Sequence, residues 1–177
     1  MDTPRIAGVV VLYNPDTSVL DAVQTYLSQI DLLFAVDNSD TPSPEVVQAL
    51  SLDPKIVYIA NNGNRGIAQA LNTGARHAVE RGFAYLLTMD QDSYAAPDMI
   101  ARMLEATAGF DAGRIGIIAP HHEVRGYRLR GDDAPWSFPL TVPTSGSLLN
   151  LRAFEDAGPF LDELFIFFRS SPHHPAS

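Results

Sequence analysis

Tyr85-Leu86-Leu87-Thr88-Met89-Asp90-Gln91-Asp92-Ser93 joins a strand-length, largely apolar run to an abrupt cluster of carboxylate, amide and hydroxyl side chains. A short run of this kind, with no alternation of polar and apolar residues, predicts a strand buried on both faces, as in parallel sheets covered by helices. Residues 6–13, 32–36 and 56–60 repeat the pattern upstream, and 115–119 repeats it downstream. Each of the first three also ends in polar residues: Tyr13-Asn14-Pro15, Asp37-Asn38-Ser39 and Asn61-Asn62-Gly63-Asn64-Arg65-Gly66.

The segments between the strands have helical period. Residues 18–28 place Val19, Leu20, Val23 and Leu27 on one face, and 67–79 do the same with Ile67, Leu71, Ala75 and Val79. Both are expected to be crossover helices. A third helix is predicted over 97–107, with Pro97 in its first turn, where a missing N–H costs nothing. Strand and helix in alternation give the expected fold class: α/β, a mostly parallel central sheet flanked by helices. After Pro120 the texture changes, and 121–139 reads as a long loop or irregular hairpin. A short strand at 147–151, a helical turn or two at 152–157 and the stop Gly158-Pro159 follow. The expected organisation is one domain over 1–168 and a disordered tail over 169–177, where proline, serine and histidine replace any periodic pattern.

The composition narrows the function classes. A chain of 177 residues, 46% of them hydrophobic, can bury a core of its own. The absence of cysteine excludes disulfides, thiolate metal sites and a cysteine nucleophile. A formal charge of −9 opposes a sequence-independent grip on phosphate backbones, so nucleic acid is not an expected partner. The apolar stretch after Arg5 is too short to span a bilayer and lacks a cleavage site, so membrane contact is expected to be peripheral at most.

In an open parallel sheet, ligands bind outside the carboxyl ends of the strands, where these polar clusters converge. Asp90 and Asp92, at i and i+2 just past a strand, could both reach one hard divalent cation, Mg²⁺ or Mn²⁺, which would offset the charge of a departing diphosphate. The structural alternative is a solvated turn with an acidic helix cap. The 61–66 segment could turn backbone N–H groups towards phosphate oxygens with Arg65 beside them, or be a tight turn that needs Gly and Asn at positive φ. Asp37 could accept a hydrogen bond from a pyrimidine or a ribose hydroxyl, or only open a turn. His121 and His122 read as loop residues before they read as ligands. Trp136 could stack on a sugar or anchor its loop.

Taken together, Val9-Val10-Val11-Leu12-Tyr13-Asn14-Pro15, Val36-Asp37-Asn38-Ser39, Asn62 through Gly74 and Leu87-Thr88-Met89-Asp90-Gln91-Asp92-Ser93 resemble the family-two glycosyltransferases. The likeness is to the dTDP-rhamnosyl transferases of bacterial polysaccharide assembly in particular, and it covers residues 5 to 166. It implies a GT-A fold, inverting transfer from a nucleotide sugar such as dTDP-rhamnose, and a saccharide or lipid-linked acceptor. It implies that Asp37 contacts the base and that Asp90 and Asp92 hold the metal. Tyr13, Asn14, Asn38, Asn62, Asn64, Arg65, Gly66, Ala70, Asp90 and Gln91 would line the donor pocket, and Ser145 and Gly146 would lie on the acceptor side. The work would be done in the cytoplasm or at the inner face of the cell membrane.

From Phe167 the sequence departs from the family, which continues with acidic residues that include its general base. No residue here matches that base, so the expected chain is a truncated or frame-shifted product. The alternative function is a non-catalytic nucleotide-sugar-binding fragment, with self-association through exposed apolar surface as a further expectation. A haloacid-dehalogenase-like phosphatase would need a lysine downstream of its aspartates, and the single lysine, Lys55, lies upstream. A dinucleotide-binding dehydrogenase would need a glycine-rich first turn, and this one is Asn14-Pro15-Asp16.

Overall fold

The computed structural model describes residues 4–120 and 142–162. The expected 121–139 loop, with His121, His122 and Trp136, and the 169–177 tail lie outside the described residues. Within them the chain runs through β1 (Ile6–Leu12), α1 (Ser18–Leu27), β2 (Leu32–Asp37), α2 (Pro44–Ser51), β3 (Ile56–Ala60), α3 (Ile67–Glu80), β4 (Tyr85–Asp90) and α4 (Met99–Ala106). A single 3₁₀ turn at Ala112–Arg114 precedes β5 (Ile117–Ile118), β6 (Ser147–Asn150) and α5 (Leu151–Ala157).

The six strands form one sheet in the order β3-β2-β1-β4-β6-β5. The first four are parallel. β6 inserts antiparallel against β4, and β5 pairs antiparallel with β6. The chain therefore grows outward from β1 through β2 to β3, then returns over α3 to place β4 on the other side of β1. This reversal is the topological switch point at which α/β sheets open a ligand crevice.

Alternation along the central strands explains their unbroken apolar sequences. Val10 and Leu12 face one cluster with Val19, Val23, Tyr26, Ile100 and Met103, so α1 and α4 cover that face. Ala7 and Val9 face the other, with Leu71, Ala75 and Ala78 of α3 and Leu151 of α5. Both Val9 and Val10 are fully buried although they are sequence neighbours. Each such side chain contributes about 1.5–3 kcal/mol relative to exposure.

α3 approaches the sheet on small residues. A Cβ at Gly74 would lie 2.5 Å from Val9 Cγ2 and 2.8 Å from Val9 Cβ, so only glycine permits this contact. Ala70 and Ala78, four residues to either side, are also fully buried. The predicted face of α3 is thus rotated in the structure: Leu71 and Ala75 are in the core, whereas Ile67 and Val79 are only half-buried at its margin.

Two further expectations are corrected, and one helix was not foreseen. α4 begins at Met99, with Pro97 in the turn before it and outside the first helical turn. That turn and the start of α4 are held by Thr25 of α1 and by Gln29 just past it: Ala95 N donates to Thr25 Oγ1 at 3.0 Å, Gln29 Nε2 donates to Ala96 O at 2.9 Å, and Ile100 N donates to Gln29 Oε1 at 3.1 Å. The strand expected over 115–119 is only two residues long, paired antiparallel with β6 at the edge of the sheet. α2 was not predicted; Pro44 starts it, and Val46 and Leu50 bury its inner face. Lys55 is engaged away from any catalytic role, its ammonium donating to Leu27 O at 3.3 Å and Ile30 O at 2.9 Å just past α1.

Candidate functional site

Because β1 to β4 are parallel, their four polar ends emerge on one edge of the sheet. The β1–β4 ladder ends at the pair Val11 and Asp90, and a side chain continues it. Tyr13 N donates to Gln91 Oε1 at 2.8 Å, and Gln91 Nε2 donates back to Tyr13 O at 3.3 Å. Beside it, Asn14 N donates to Ser39 Oγ at 2.7 Å, with Asn14 itself at φ 46°. Tyr13 is left 46% exposed.

The Asp37-Asn38-Ser39 triplet is buried, each residue 3% exposed or less, and its polar atoms tie neighbouring elements together. Asp37 Oδ1 accepts from Ser39 N at 2.8 Å, which is the geometry of an Asx turn, and Oδ2 accepts from the Tyr58 hydroxyl at 2.7 Å. Burial, and then the neighbouring Asp37 carboxylate, push the Tyr58 hydroxyl well above the usual tyrosine range, so it stays a donor. Asn38 Nδ2 donates to Gly66 O at 3.1 Å, and Asn38 Oδ1 accepts from Asn61 Nδ2 at 2.8 Å. The end of β2 thereby fixes the start of α3.

The 61–66 turn does require unusual backbone. Asn62 (φ 53°), Gly63 (φ 128°) and Gly66 (φ 82°) all have positive φ, and Asn64 Oδ1 accepts from Gly66 N at 3.0 Å. Asn62, Asn64 and Arg65 are exposed, so this loop offers amides and a guanidinium to solvent beside the first turn of α3. Ala70 is placed in the core, away from that surface.

On the other wall, β6 returns the chain to the site. Gly146 N (φ 75°) donates to Thr88 O at 2.7 Å, and the Thr88 hydroxyl donates to Ser147 O at 3.1 Å and to Thr144 O. Ser145 then accepts from Asp90 N at 3.1 Å and donates to Ser93 Oγ at 2.8 Å. Asp90 is half-buried and Asp92 exposed. Among the described residues no three Asp, Glu or His side chains surround one point. Two carboxylates on one strand end are still a donor set that suits a hard cation keeping several positions for water and phosphate oxygens.

The structure thus gathers Tyr13, Asn14, Gln91, Asp90, Asp92, Ser145 and Gly146 along β1, β4 and the β6 approach, and Asp37, Asn38 and Gly66 in the adjoining buried network. Two contributors were missed in the sequence, Tyr58 inside a strand and Thr88 inside a buried run. Asn72 lies in the 64–72 segment that the family resemblance assigns to the nucleotide pocket, and in the structure it bonds to the 160–162 segment. Asn72 is 4% exposed; its Nδ2 donates to Phe160 O at 2.8 Å and Asp162 Oδ1 at 2.9 Å, and its Oδ1 accepts from Phe160 N at 2.9 Å. A polar residue on the inward stripe of an amphipathic helix was the available signal. An open groove of about 440 Å³ lined by Val79, Phe83, Tyr85, Asn150 and Arg152 lies at the amino end of β4, remote from this cluster.

The family description "Glycosyl transferase family 2" matches residues 9–168. The chain is 27% identical to the dTDP-rhamnosyl transferase RfbF of Shigella flexneri, over 92% of its own length and 59% of RfbF. It is 32% identical to the succinoglycan biosynthesis protein ExoO of Rhizobium meliloti, over 58% of its own length and 29% of ExoO. It therefore spans less than two thirds of either relative. Among solved structures, S. aureus TarS 1-349 in complex with UDP-GlcNAc superposes with a TM-score of 0.65 at 13% identity, covering 86% of this chain and 47% of that one.

Proposed function

Since the chain belongs to glycosyl transferase family 2, we propose that its crevice binds a nucleotide sugar and serves inverting transfer of the sugar to a saccharide or lipid-linked acceptor in polysaccharide synthesis. The observation that carries this reading is the convergence at the switch point. Asp90 ends β4 and Asp92 lies two residues past it, and Gln91 between them bonds to the exposed Tyr13 that follows β1, so acidic metal donors and an aromatic residue lie on the same edge. The likeness to RfbF supports dTDP-rhamnose as donor.

In this reading the base lies between Tyr13 and the Asp37 network, and the diphosphate lies towards Asp90 and Asp92. Those two carboxylates would hold Mg²⁺ or Mn²⁺, which when bound supplies positive charge against the leaving diphosphate. Arg65 and the first turn of α3 add positive potential from the opposite wall. Ser145 and Gly146 shape the acceptor side, because the Ser145 hydroxyl fixes the backbone of Asp90. Inversion requires a carboxylate to take the acceptor's proton as the hydroxyl attacks the anomeric carbon. No described residue is assigned that role. Asp162, the nearest candidate by sequence, has its carboxylate bonded to Asn72. A chain that binds donor without transferring it is therefore the second reading.

Calorimetric titration with dTDP and with UDP, each with and without Mg²⁺, tests the donor site. We expect Mg²⁺-dependent binding that Asp92→Ala weakens by at least about tenfold, or 1.4 kcal/mol. A folded chain that binds neither nucleotide overturns the reading. Product formation from dTDP-rhamnose on an added acceptor separates transferase from binding fragment.

A further inference from the structure

Gln91 stands between the two carboxylates of the proposed metal site, yet its side chain is committed to the main chain of Tyr13 through both of its functional atoms. A primary amide has one acceptor oxygen and a two-hydrogen nitrogen, so it can copy a peptide group and pair with a strand as another strand would. Gln91 does this one step beyond the last β1–β4 pair, Val11 and Asp90. Tyr13 is then held by Gln91 on one side, and Asn14 by Ser39 on the other. Two strand ends thus fix a backbone that would otherwise fray past Leu12, with Asn14 in a left-handed conformation. What this fixed backbone displays is Tyr13, an exposed residue with an aromatic side chain.

From this geometry we propose that Gln91 is a positioning residue for the nucleobase. It holds Tyr13 as a stacking surface and does not itself bind the diphosphate between Asp90 and Asp92. A flat π-face offers a planar base a stacking surface and offers a free phosphate none. The same amide links the base surface to the segment that carries the two carboxylates, so the two parts of one ligand are read at a set spacing. The inference rests on the donor-site reading above and adds the role of Gln91.

The test uses two kinds of ligand. Thymidine and uridine carry a base without phosphates, whereas dTDP and UDP carry both. Affinities for all four, by protein-observed NMR titration with Mg²⁺ present, are compared in wild type, Gln91→Ala, Gln91→Glu, Tyr13→Ala and the Gln91→Ala/Tyr13→Ala double variant, with thermal unfolding to confirm the fold. Gln91→Ala is expected to weaken nucleoside and nucleoside diphosphate by the same factor, about fivefold for loss of two partly exposed hydrogen bonds. It should add no further loss on the Tyr13→Ala background. It should also speed hydrogen exchange at the Tyr13 amide. Gln91→Glu keeps the acceptor for Tyr13 N–H, and uncharged nucleosides are insensitive to its added charge, so nucleoside affinity should recover part of the loss.

A Gln91→Ala variant that loses diphosphate affinity but keeps full nucleoside affinity overturns the proposal, because Gln91 would then act on the phosphates. Unchanged Tyr13 exchange, or additive losses in the double variant, overturns it as well. If wild type binds none of the four ligands, the donor-site reading itself fails, an outcome distinct from any difference among variants.

Discussion

Replacing Asn72 by alanine removes three hydrogen bonds at once, two to the main chain of Phe160 and one to the Asp162 carboxylate. A neutral bond contributes about 1 kcal/mol net and one to a charged group about 1.5–3 kcal/mol. Phe160 is half-buried and Asp162 exposed, so water can replace part of what is lost, and the lower values apply. Alanine also recovers about 0.6 kcal/mol of helix propensity. The expected net loss is about 2 kcal/mol, which lowers the urea midpoint by about 1 M for a slope near 2 kcal/mol per molar. Hydrogen exchange at the Phe160 amide should rise more than exchange in β1, because the segment can release locally before the sheet opens. Asn72→Asp sharpens the test. It is isosteric, but it points a carboxylate at the Phe160 carbonyl and at Asp162, so it should destabilise at least as much as alanine at neutral pH. An aspartate variant as stable as wild type, or an alanine variant with unchanged midpoint and unchanged Phe160 exchange, would refute this account of the clamp.

Two further outcomes follow from the core. Gly74→Ala should destabilise by about 1–3 kcal/mol in urea denaturation even though alanine is the better helix former, because the new methyl meets Val9 at 2.5 Å; equal or greater stability would show that α3 can retreat freely. Tyr26 is fully buried, its hydroxyl has no partner among the described residues, and burial pushes its ionisation above the ordinary tyrosine value. A raised folded-state value means that stability is complete below the unfolded value of about pH 10 and is lost as pH climbs above it, by about 1.4 kcal/mol per pH unit for this one proton. Tyr26→Phe should therefore match or exceed wild type at neutral pH and lose less at high pH, and equal alkaline losses in the two proteins would contradict that.

Much of the fold was legible because buried parallel strands have an unmistakable composition. The runs around Val9, Phe34 and Leu87 need both faces covered, and helical segments between them supply the cover. Strand direction was less accessible. Nothing in Ser147-Leu148-Leu149-Asn150 says that it will run against β4, because periodicity records which side chains are buried and carries no sign for chain direction. α2 escaped notice because a short helix that opens on Pro44 directly after Pro42-Ser43 looks like a turn. The rotated face of α3 has a clear cause. Large residues such as Ile67 and Val79 were given the inward side, whereas the close approach to Val9 favours Ala70, Gly74 and Ala78, an i, i+4, i+8 seam that the sequence does contain.

The site divided along a different line. That polar residues would gather at the strand ends followed from the topology alone. Which of them would face a ligand did not, since an amide or carboxylate bonds equally well to a base, a phosphate or a neighbouring peptide. Asp37, Asn38 and Gln91 are all engaged with the protein itself, through an Asx turn, the carbonyl of Gly66 and the main chain of Tyr13. Tyr13, Asn14, Asn62, Asn64, Arg65 and Asp92 are exposed.

The strand order also sets a timetable for assembly. β1, β2 and β3 are consecutive in sequence and neighbours in the sheet, so they can pair as soon as the first 60 residues have emerged during synthesis. The partner on the other side of β1 comes only after α3, and β6 comes later still, so the opposite wall closes through contacts between distant parts of the chain. Such long-range pairings form slowly, because loop closure must precede their reward. Until β4 docks, the flank of β1 is an open strand edge able to pair with another nascent chain. The crevice between β1 and β4 is therefore completed late, and folding conditions that shorten the life of that open edge should raise the yield of monomeric protein.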